Sequence, residues 1–417
     1  MRRLKRAVFL LTGLSFCLLY AAEFQQIQRE RATLREGPGS FYPAIAELSQ
    51  GVTVNVLETM DGWHRVEVQE LNGYIAEKAT EEPEGAVEDA FARMGQQPSV
   101  TQVAQSGISA AVKGFAERFT QRLNADTTLL SDILSYRMDP VEYQAFKEDV
   151  YAGRNLARIR RQIDLPRQKE YGNFSFSEEG VGLAIATKLA SMGLLRMQSV
   201  QDYVNAVGNL VVEASGAYQI PFKFYILESE KVNAYSCPGG LVFLTSGALQ
   251  RIQDEAELAC FLGHEVAHVV LRHGMREMEK RKVMITADNA FMELESETSM
   301  SEDLQETSAE LEDIALESYE TIFAGRLEQY EQVADEYGLI CAARAGYDPG
   351  AMIDLLARLS GEEILSGNQH YTPGQNAQRH DRIRQWVQSR RWPTDRLIRN
   401  RDSYLNHLSG FWQRNTD

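Results

Sequence analysis

The sequence predicts an α+β chain, in which a small all-β barrel is followed by a mainly helical domain with a short sheet. Three observations support this. Apolar and polar residues alternate between turn signals over residues 23–80, helical periodicity dominates from about 101 to 215, and two short β-type runs precede a further helix at 252–273. Because the chain has 417 residues, two or three folded units are expected.

The composition is that of a globular protein, with 44% hydrophobic and 24% charged residues. The formal net charge of −16 argues against a nucleic-acid partner and against broad adhesion to anionic lipid, since both attract basic surfaces. The apolar stretches at 100–119 and 181–195 contain charged residues at helical spacing. We therefore expect packed amphipathic helices there and no transmembrane segment after residue 22.

The first 22 residues have the pattern of a secretory signal peptide. Basic residues precede an apolar run over 7–20, and Ala21 and Ala22 follow it, so cleavage is expected near these alanines. An uncleaved anchor is the alternative. The chain is therefore expected to be exported, most simply to the periplasm, with an extracellular or membrane-anchored location left open. Cys17 lies within the predicted signal peptide, so the mature chain would keep three of the four cysteines. Buried free thiols are expected at Cys237, Cys260 and Cys341, because three cysteines cannot all pair internally.

The barrel at 23–80 is predicted from alternation and turns. Val52, Val54 and Val56 alternate with polar residues, and Asp61-Gly62 and Asn72-Gly73 both have the composition of tight turns. A Glu- and Pro-containing stretch at 81–100 is expected to be a linker.

This segment resembles bacterial SH3-like domains. The similarity begins at 33–40 and continues through Tyr42-Pro43, Gly51 and Trp63 to 73–76, so it covers nearly the whole segment. The resemblance implies a ligand that is a cell-wall peptide or a protein. The alternative is a barrel that only spaces or steadies its neighbour.

Beyond the linker, residues 101–195 are predicted to form a helical region that packs on a second domain at 196–417. Strands are expected at 222–227 and 241–244, each preceded by a proline- or glycine-containing turn. The Glu- and Ser-rich stretch at 292–320 suits a solvated helix or a lid. A lid over 290–318 would hold the protein latent.

Residues 264–268 read His-Glu-Val-Ala-His, the HExxH pattern. On a helix, positions i and i+4 share one face, so His264 and His268 can bind one zinc ion together. Glu265 is placed to hold the attacking water and to take its proton. The apolar flanks predict a buried helix, with Gly263 leaving space beside the metal-binding face.

A catalytic zinc usually has three protein ligands. His273 lies about half a turn round the helix from His264 and is expected to close the helix instead of binding the metal. Glu331 is the best candidate, because Glu331 and Asp335 are four residues apart on one helix face and Asp335 can then hold a ligating histidine. From spacing alone, an ordinary solvated acidic face remains open.

The sequence around these motifs resembles the family of zinc peptidases that includes the CAAX prenyl proteases and the HtpX-type proteases. The resemblance spans about 200–375, and its segments are 203–208, 232–240, 245–249, 255–259, 264–268, 272–273 and 331–338. It implies a zincin-type metallopeptidase domain that holds one zinc per chain.

The resemblance assigns roles by position. It implies zinc ligation by His264, His268 and Glu331, catalysis by Glu265 and a supporting role for Asp335. It also implies that Asn233 and Ala234, continued by Tyr235, form an edge strand along which a protein or peptide substrate pairs as an added strand.

One departure concerns the oxyanion of the transition state. The family usually has a His-Pro pair a few residues before Arg-Ile, and here Arg382-Ile383 is present while Asn376-Ala377 stands in place of His-Pro. We expect His380 or Arg382 to substitute, with His370 a further candidate.

The sequence thus predicts an exported zinc-dependent endopeptidase that acts on envelope or misfolded proteins, with an SH3-like domain for targeting. A zinc-holding envelope chaperone or adaptor that rarely cleaves is the alternative, because the His-Pro pair is missing. A cell-wall peptide amidase is a third hypothesis.

Overall fold

The architecture was analysed in a computed structural model. It describes residues 23–29, 31–60, 62–82, 98–102, 110–122, 128–166, 176–217, 220–276, 328–361, 373–393 and 396–414, together with positions 313, 315, 316, 319 and 320. The signal peptide predicted over 1–22 lies outside these residues, as does nearly all of the lid predicted at 290–318.

The N-terminal unit is a seven-stranded antiparallel sheet, as the alternation predicts. Its strands are β1 (Glu23–Gln26), β2 (Arg31–Arg35), β3 (Ala44–Ser49), β4 (Thr53–Met60), β5 (Trp63–Val68), β6 (Leu71–Ala76) and β7 (Val100–Gln102). They follow the order β1-β4-β5-β6-β2-β3-β7. Inward residues such as Leu34, Val54 and Val66 are fully buried and form the core of the barrel. β7 pairs with β3, which corrects two predicted bounds: residues 100–102 are expected at the end of the linker and the start of a helix, but they form a strand of the barrel, and the helix begins at Ala110.

The two predicted turns of the barrel have different outcomes. The turn predicted at Asp61-Gly62 is supported at Gly62, which lies between β4 and β5 with φ +77°, while residue 61 lies outside the described residues. The turn predicted at Asn72-Gly73 is wrong, because both residues lie inside β6 and the chain reverses at Gln69, with φ +53°. Gly73 instead allows β6 to pass close to the backbone of β2. A Cβ there would lie 2.6 Å from the Arg35 carbonyl oxygen of the neighbouring strand.

A helical region follows, as predicted. Its described helices are α1 (Ala110–Arg122), α2 (Thr128–Ser135), α3 (Pro140–Tyr151), α4 (Leu156–Gln162), α5 (Phe176–Ala190) and α6 (Gln198–Ser215). α3 begins where Asp139 accepts hydrogen bonds from two backbone N–H groups of the first turn and Pro140 occupies the first helical position. α6 ends at Gly216, whose φ of +71° provides the left-handed cap.

The second sheet has three strands, β8 (Lys223–Leu227), β9 (Ala234–Ser236) and β10 (Leu241–Thr245), in the order β8-β10-β9. β10 pairs parallel with β8 and antiparallel with β9, so β9 is an edge strand of this sheet. Both predicted strands are therefore present.

The remaining described helices complete the domain. They are α7 (Ser246–Arg251), α8 (Glu255–Val270), α9 (His273–Arg276), α10 (Glu328–Arg344), α11 (Ala351–Gly361), α12 (Pro373–Gln388), α13 (Arg401–His407) and α14 (Ser409–Arg414). α8 packs against α6, α10 and α11 inside the largest core cluster. Among the described residues no helix is both long and apolar enough to cross a bilayer. Cys237, Cys260 and Cys341 are buried free thiols, as predicted.

Candidate metal centre

α8 carries the HExxH motif and is anchored at its N-terminus by the side chain of Asp254. Asp254 accepts a 2.8 Å hydrogen bond from the Glu257 backbone N–H, and Glu257 in turn accepts one from the Gln253 backbone at 2.8 Å. Nearly every residue of α8 is buried. The helix is therefore a fixed element of the core, and its histidines are held by packing on all sides.

His264, His268 and Glu331 come together at the crossing of α8 and α10. Nε2 of His264 lies 3.1 Å from Nε2 of His268, and the Glu331 carboxylate oxygens lie 3.2 Å from His264 and 3.4 Å from His268. The alternative of a solvated acidic face does not describe Glu331, because its side chain is only 14% exposed and contacts both imidazoles.

These three side chains fit a tetrahedral metal. With bonds of about 2.0–2.1 Å, the ligand atoms of a tetrahedral zinc lie about 3.3–3.4 Å apart, close to the three separations found here. Two imidazole nitrogens and one carboxylate oxygen form the donor set of many zinc sites that leave a fourth position open. The predicted metal-binding triad is thus present within the described chain.

The close crossing of the two helices explains how Glu331 reaches the histidines. A Cβ on Gly263 would lie 2.7 Å from the Gly338 carbonyl oxygen, and a Cβ on Gly338 would lie 2.5 Å from the Gly263 carbonyl carbon. The two backbones are in direct contact, so the space that Gly263 leaves on α8 is filled by the backbone of α10.

Asp335 is buried one turn further along α10 and supports His264. Its Oδ1 lies 2.9 Å from His264 Nδ1, which leaves Nε2 free to face the metal position. Arg379 of α12 donates to both oxygens of this carboxylate, with Nε 3.0 Å from each. Arg382 donates to Oδ2 at 2.5 Å. Two guanidinium groups therefore hold the carboxylate that orients a predicted ligand.

Arg379 is the clearest site residue that sequence reasoning missed. Its side chain is 8% exposed, and its Nη2 lies 3.0 Å from His264 Nδ1 as well as contacting Asp335. It lies three residues before Arg382, one turn of α12 earlier, which places both on the same helix face. That spacing was the available signal.

The electrostatics of the centre favour a bound cation. Burial opposes ionisation of Glu331, but the imidazoles of His268 and His264 hold its pKa well below the usual value. Burial likewise opposes ionisation of Asp335, and Arg379 and His264 hold its pKa low. Burial and Arg379 both act to lower the pKa of His264, yet hydrogen bonds with Asp335 and Glu331 raise it to about 9. Two ionised carboxylates thus face the imidazole pair.

His273 supports the second histidine of the motif. α8 ends at Val270, Arg272 takes φ +53°, and the chain turns so that His273 Nδ1 lies 3.0 Å from His268 Nδ1. The His273 ring also stacks on Tyr330 of α10, with centroids 4.7 Å apart. His273 is outside the metal-binding triad, as predicted, but it fixes the ring of His268, which sequence reasoning missed.

Glu265 lies one residue after His264, on the buried side of α8. It is 3% exposed, and its Oε2 atom has no hydrogen-bond partner among the described residues. A buried carboxylate oxygen without a partner is costly. A water or substrate group at this oxygen would satisfy it.

The three residues predicted to bind substrate lie at the start of β9. Because Thr245 N–H donates to the Asn233 carbonyl and Cys237 N–H donates to the Leu241 carbonyl, the backbone groups of odd-numbered residues face β10. Those of Ala234 and Ser236 consequently face the outer edge. Asn233 Oδ1 accepts from the Ala234 N–H at 2.8 Å, and Tyr235 pairs with Phe243 in the ladder.

The candidates for the oxyanion are distributed along α12. His380 is partly buried and contacts Asp381 at 3.0 Å, and Arg382 contacts Asp335 as described above. His370 lies outside the described residues.

Comparison with known proteins connects this geometry to two families. Residues 198–389 match peptidase family M48, and residues 30–80 match the bacterial SH3 domain. The first range contains every residue of the metal centre, and the second covers the barrel from β2 to β6.

Individual relatives match over the same region. The chain is 29% identical over 177 residues to a protein of Yersinia pestis named beta-barrel assembly-enhancing protease, covering 41% of this chain and 35% of that protein. It is 29% identical over 171 residues to the Escherichia coli K12 protein of that name, covering 40% and 34%. The mitochondrial metalloendopeptidase OMA1 of Schizosaccharomyces pombe is 27% identical over 165 residues, covering 40% and 45%. The match spans less than half of each relative's length.

Proposed function

From a chain that carries a metallopeptidase domain of family M48 behind a bacterial SH3 domain, we propose an exported zinc-dependent endopeptidase that hydrolyses peptide bonds of envelope or misfolded proteins. The observation that carries this proposal is the triad of His264, His268 and Glu331 with ligand atoms 3.1–3.4 Å apart beside the buried, partnerless oxygen of Glu265.

Zinc, when bound, polarises the scissile carbonyl and lowers the pKa of a water molecule toward about 7. Glu265 Oε2 accepts a proton from the attacking water and passes it to the amide nitrogen that leaves. General acid–base catalysis of this kind contributes about 10²–10⁴-fold to the rate. Asp335, held by Arg379 and Arg382, keeps His264 oriented throughout.

The substrate is proposed to lie as an added strand on β9. The backbone of Ala234 faces away from β10, so an antiparallel partner would pair with its carbonyl oxygen and would replace Asn233 Oδ1 as the acceptor of its N–H. Such pairing holds a peptide extended while its scissile bond reaches Glu265. Arg382 or His380 would then stabilise the oxyanion. Backbone pairing tolerates many sequences, which fits substrates of varied or unfolded type.

The proposed location of the enzyme and its proposed targeting are argued from other parts of the chain. The export pattern of residues 1–22 supports action in the bacterial envelope. The names of the bacterial relatives connect those proteins to beta-barrel assembly, which supports beta-barrel proteins of the envelope and their misfolded forms as the substrate class. The SH3 domain is proposed to target the enzyme to the cell wall or to a protein partner.

The proposal is tested by substituting Glu265→Gln in the mature chain. Glutamine keeps the size of the side chain but cannot accept the proton, so we expect casein cleavage to fall by about 10²–10⁴-fold. One zinc per chain should remain, measured by elemental analysis. The control is Glu336→Gln, an exposed carboxylate on α10, which should leave both cleavage and zinc unchanged.

Two results would count against this function. A folded wild-type protein that binds no zinc would remove its basis. Zinc in both forms with no cleavage by either would instead favour the zinc-holding chaperone or adaptor.

A further inference from the structure

A cavity separates the barrel from the peptidase domain. On the barrel side it is bounded by β2, β3 and the loop between them, and on the other side by α2, α5 and the starts of β8 and β10. Its volume is about 90 Å³, several times the about 10–15 Å³ that a cavity needs to hold one water molecule. This interdomain cavity contains none of the residues of the metal centre.

Four cationic side chains line the interdomain cavity, and these are Arg31, Arg35, Arg137 and Lys223. Two carboxylates, Glu47 and Glu179, also line it. Arg31 contacts both of them, with its nitrogens 2.8 Å from Glu179 and 3.4 Å from Glu47. Arg31 is thus the cation that contacts the carboxylates directly, and the wall has two more basic than acidic side chains.

Arg35 and Lys223 are the cations that this arrangement leaves without an ion pair among the described residues. Arg35 is 6% exposed and donates to the Tyr42 carbonyl at 3.0 Å. Lys223 Nζ lies 3.3 Å from the Ile133 carbonyl. Burial lowers the pKa of Arg35 to about 10, although the charges of Glu47 and Glu179 act to raise it. Burial together with the charge of Arg137 lowers the pKa of Lys223 to about 7. Buried cations of this kind are costly unless an anion joins them.

Most of the remaining wall is apolar, although Thr33, Ser40 and Tyr42 also line it. Phe41 comes from the barrel, Leu183 from α5 of the helical region, and Phe222 and Leu241 from the peptidase domain. A bare inorganic anion would leave this surface without a partner. A ligand with a charged end and a short hydrocarbon body would contact both parts of the wall.

We propose that the interdomain cavity binds a small carboxylate that carries a short apolar chain. Arg35 and Lys223 face the carboxylate, and the apolar part of the wall faces the chain. Such a group occurs in short fatty acids and at the C-terminus of peptides that end in an apolar residue. The ligand bridges residues of both domains.

The test is calorimetric titration of the full mature chain with four probes. Hexanoate represents the fatty acid and N-acetyl-leucine the peptide C-terminus. Hexylamine and N-acetyl-leucinamide are their matched controls without a carboxylate. We expect one site per chain with a Kd on the order of 1 mM for at least one carboxylate, in keeping with so few atoms, and at least tenfold weaker binding of its control.

Variants separate this cavity from the metal centre, which could also take a carboxylate. Lys223→Met removes a charge that the fold must otherwise bury, so the variant should fold, and we expect it to weaken carboxylate binding at least tenfold. Arg35→Met should do the same and provides a second, independent substitution. Lys113→Met on α1, whose side chain is 52% exposed, is the control and should bind like the wild type.

The outcomes distinguish the two possible sources of the carboxylate, and some of them would contradict the proposal. Binding of hexanoate alone identifies a fatty acid, and binding of N-acetyl-leucine alone identifies a peptide C-terminus. Failure of both carboxylates to bind, equal binding of the controls, or binding that survives both Lys223→Met and Arg35→Met would overturn the site.

Discussion

At the scale of single residues, the candidate metal centre depends on the carboxylate of Asp335, which contacts one histidine and two arginines. Asp335 is 2% exposed, and the Arg379 side chain that clamps it is 8% exposed. Removing one partner of such a buried pair leaves the other charged and without compensation, which costs about 3–5 kcal/mol. Replacing both partners avoids that cost.

We therefore expect Asp335→Asn to destabilise the protein by about 3–5 kcal/mol, and Asp335→Asn/Arg379→Met to recover part of that loss. The measurement is urea unfolding of chelator-treated protein, so that loss of metal does not contribute. In metal-loaded protein, either single variant should lower zinc affinity by about 10–100-fold, because His264 loses its orientation. If the double variant is as unstable as the sum of the single ones, Arg379 is not coupled to Asp335.

The same residues show how far sequence reasoning reaches. His264 and His268 could be predicted, because helical spacing alone places positions i and i+4 on one face. Glu331 and Asp335 needed the resemblance to a family as well, since acidic pairs four residues apart are common on solvated helices. The spacing from Arg382 places Arg379 on the same helix face, but its contact with Asp335 could not be predicted, because it joins positions 44 residues apart and depends on how α12 packs.

At the scale of elements, the crossing of α8 and α10 sets the distance between the metal ligands. The two glycines at the crossing, Gly263 and Gly338, allow backbone contact. Any side chain there must separate the helices, because the atoms it meets belong to the backbone and cannot rotate away. Glu331 would then move away from His264 and His268.

We expect Gly338→Ala to destabilise the protein by about 1–3 kcal/mol and to weaken zinc binding more than tenfold. The control is Gly114→Ala on α1, where the nearest atom to a new Cβ is a flexible arginine nitrogen 3.7 Å away. That change should stabilise the protein by up to about 1 kcal/mol and leave zinc binding alone. Thermal unfolding and competition with a zinc chelator measure the two effects. Unchanged zinc affinity in Gly338→Ala would show that the crossing does not set the ligand geometry.

The turn wrongly predicted at Asn72-Gly73 shows why the bounds of a strand are harder to predict than its presence. Asn72-Gly73 has the composition of a hairpin turn, but Gly73 is needed where β6 passes close to the Arg35 carbonyl of β2. A local pattern cannot distinguish a glycine required for positive φ from one required for space. Only the pairing of strands distant in sequence decides between them.

At the scale of the whole molecule, the barrel is docked on the helical region that precedes the peptidase domain. Arg31 of β2 pairs with Glu179 of α5 at 2.8 Å, and the ring of Phe41 meets Tyr143 of α3 edge-on at 4.8 Å. Sequence analysis left open whether the barrel binds a ligand or steadies its neighbour. No sequence pattern predicts which surfaces of two domains meet, because the contact depends on their tertiary shapes.

These contacts predict that the barrel is held in a fixed position, and that reversing the charge of Glu179 should release it. Glu179→Arg would place a third arginine beside Arg31 and Arg35, so like charges would face each other across the contact. We expect the barrel to move away from the peptidase domain, which would increase the radius of gyration in small-angle X-ray scattering.

The exchanged pair Arg31→Glu/Glu179→Arg should restore the compact form, since it reinstates opposite charges. Glu67→Arg, an exposed position on β5, makes the same charge change and should have no effect. If Glu179→Arg keeps the wild-type radius, the ion pair does not hold the barrel, and the aromatic contact of Phe41 must suffice alone.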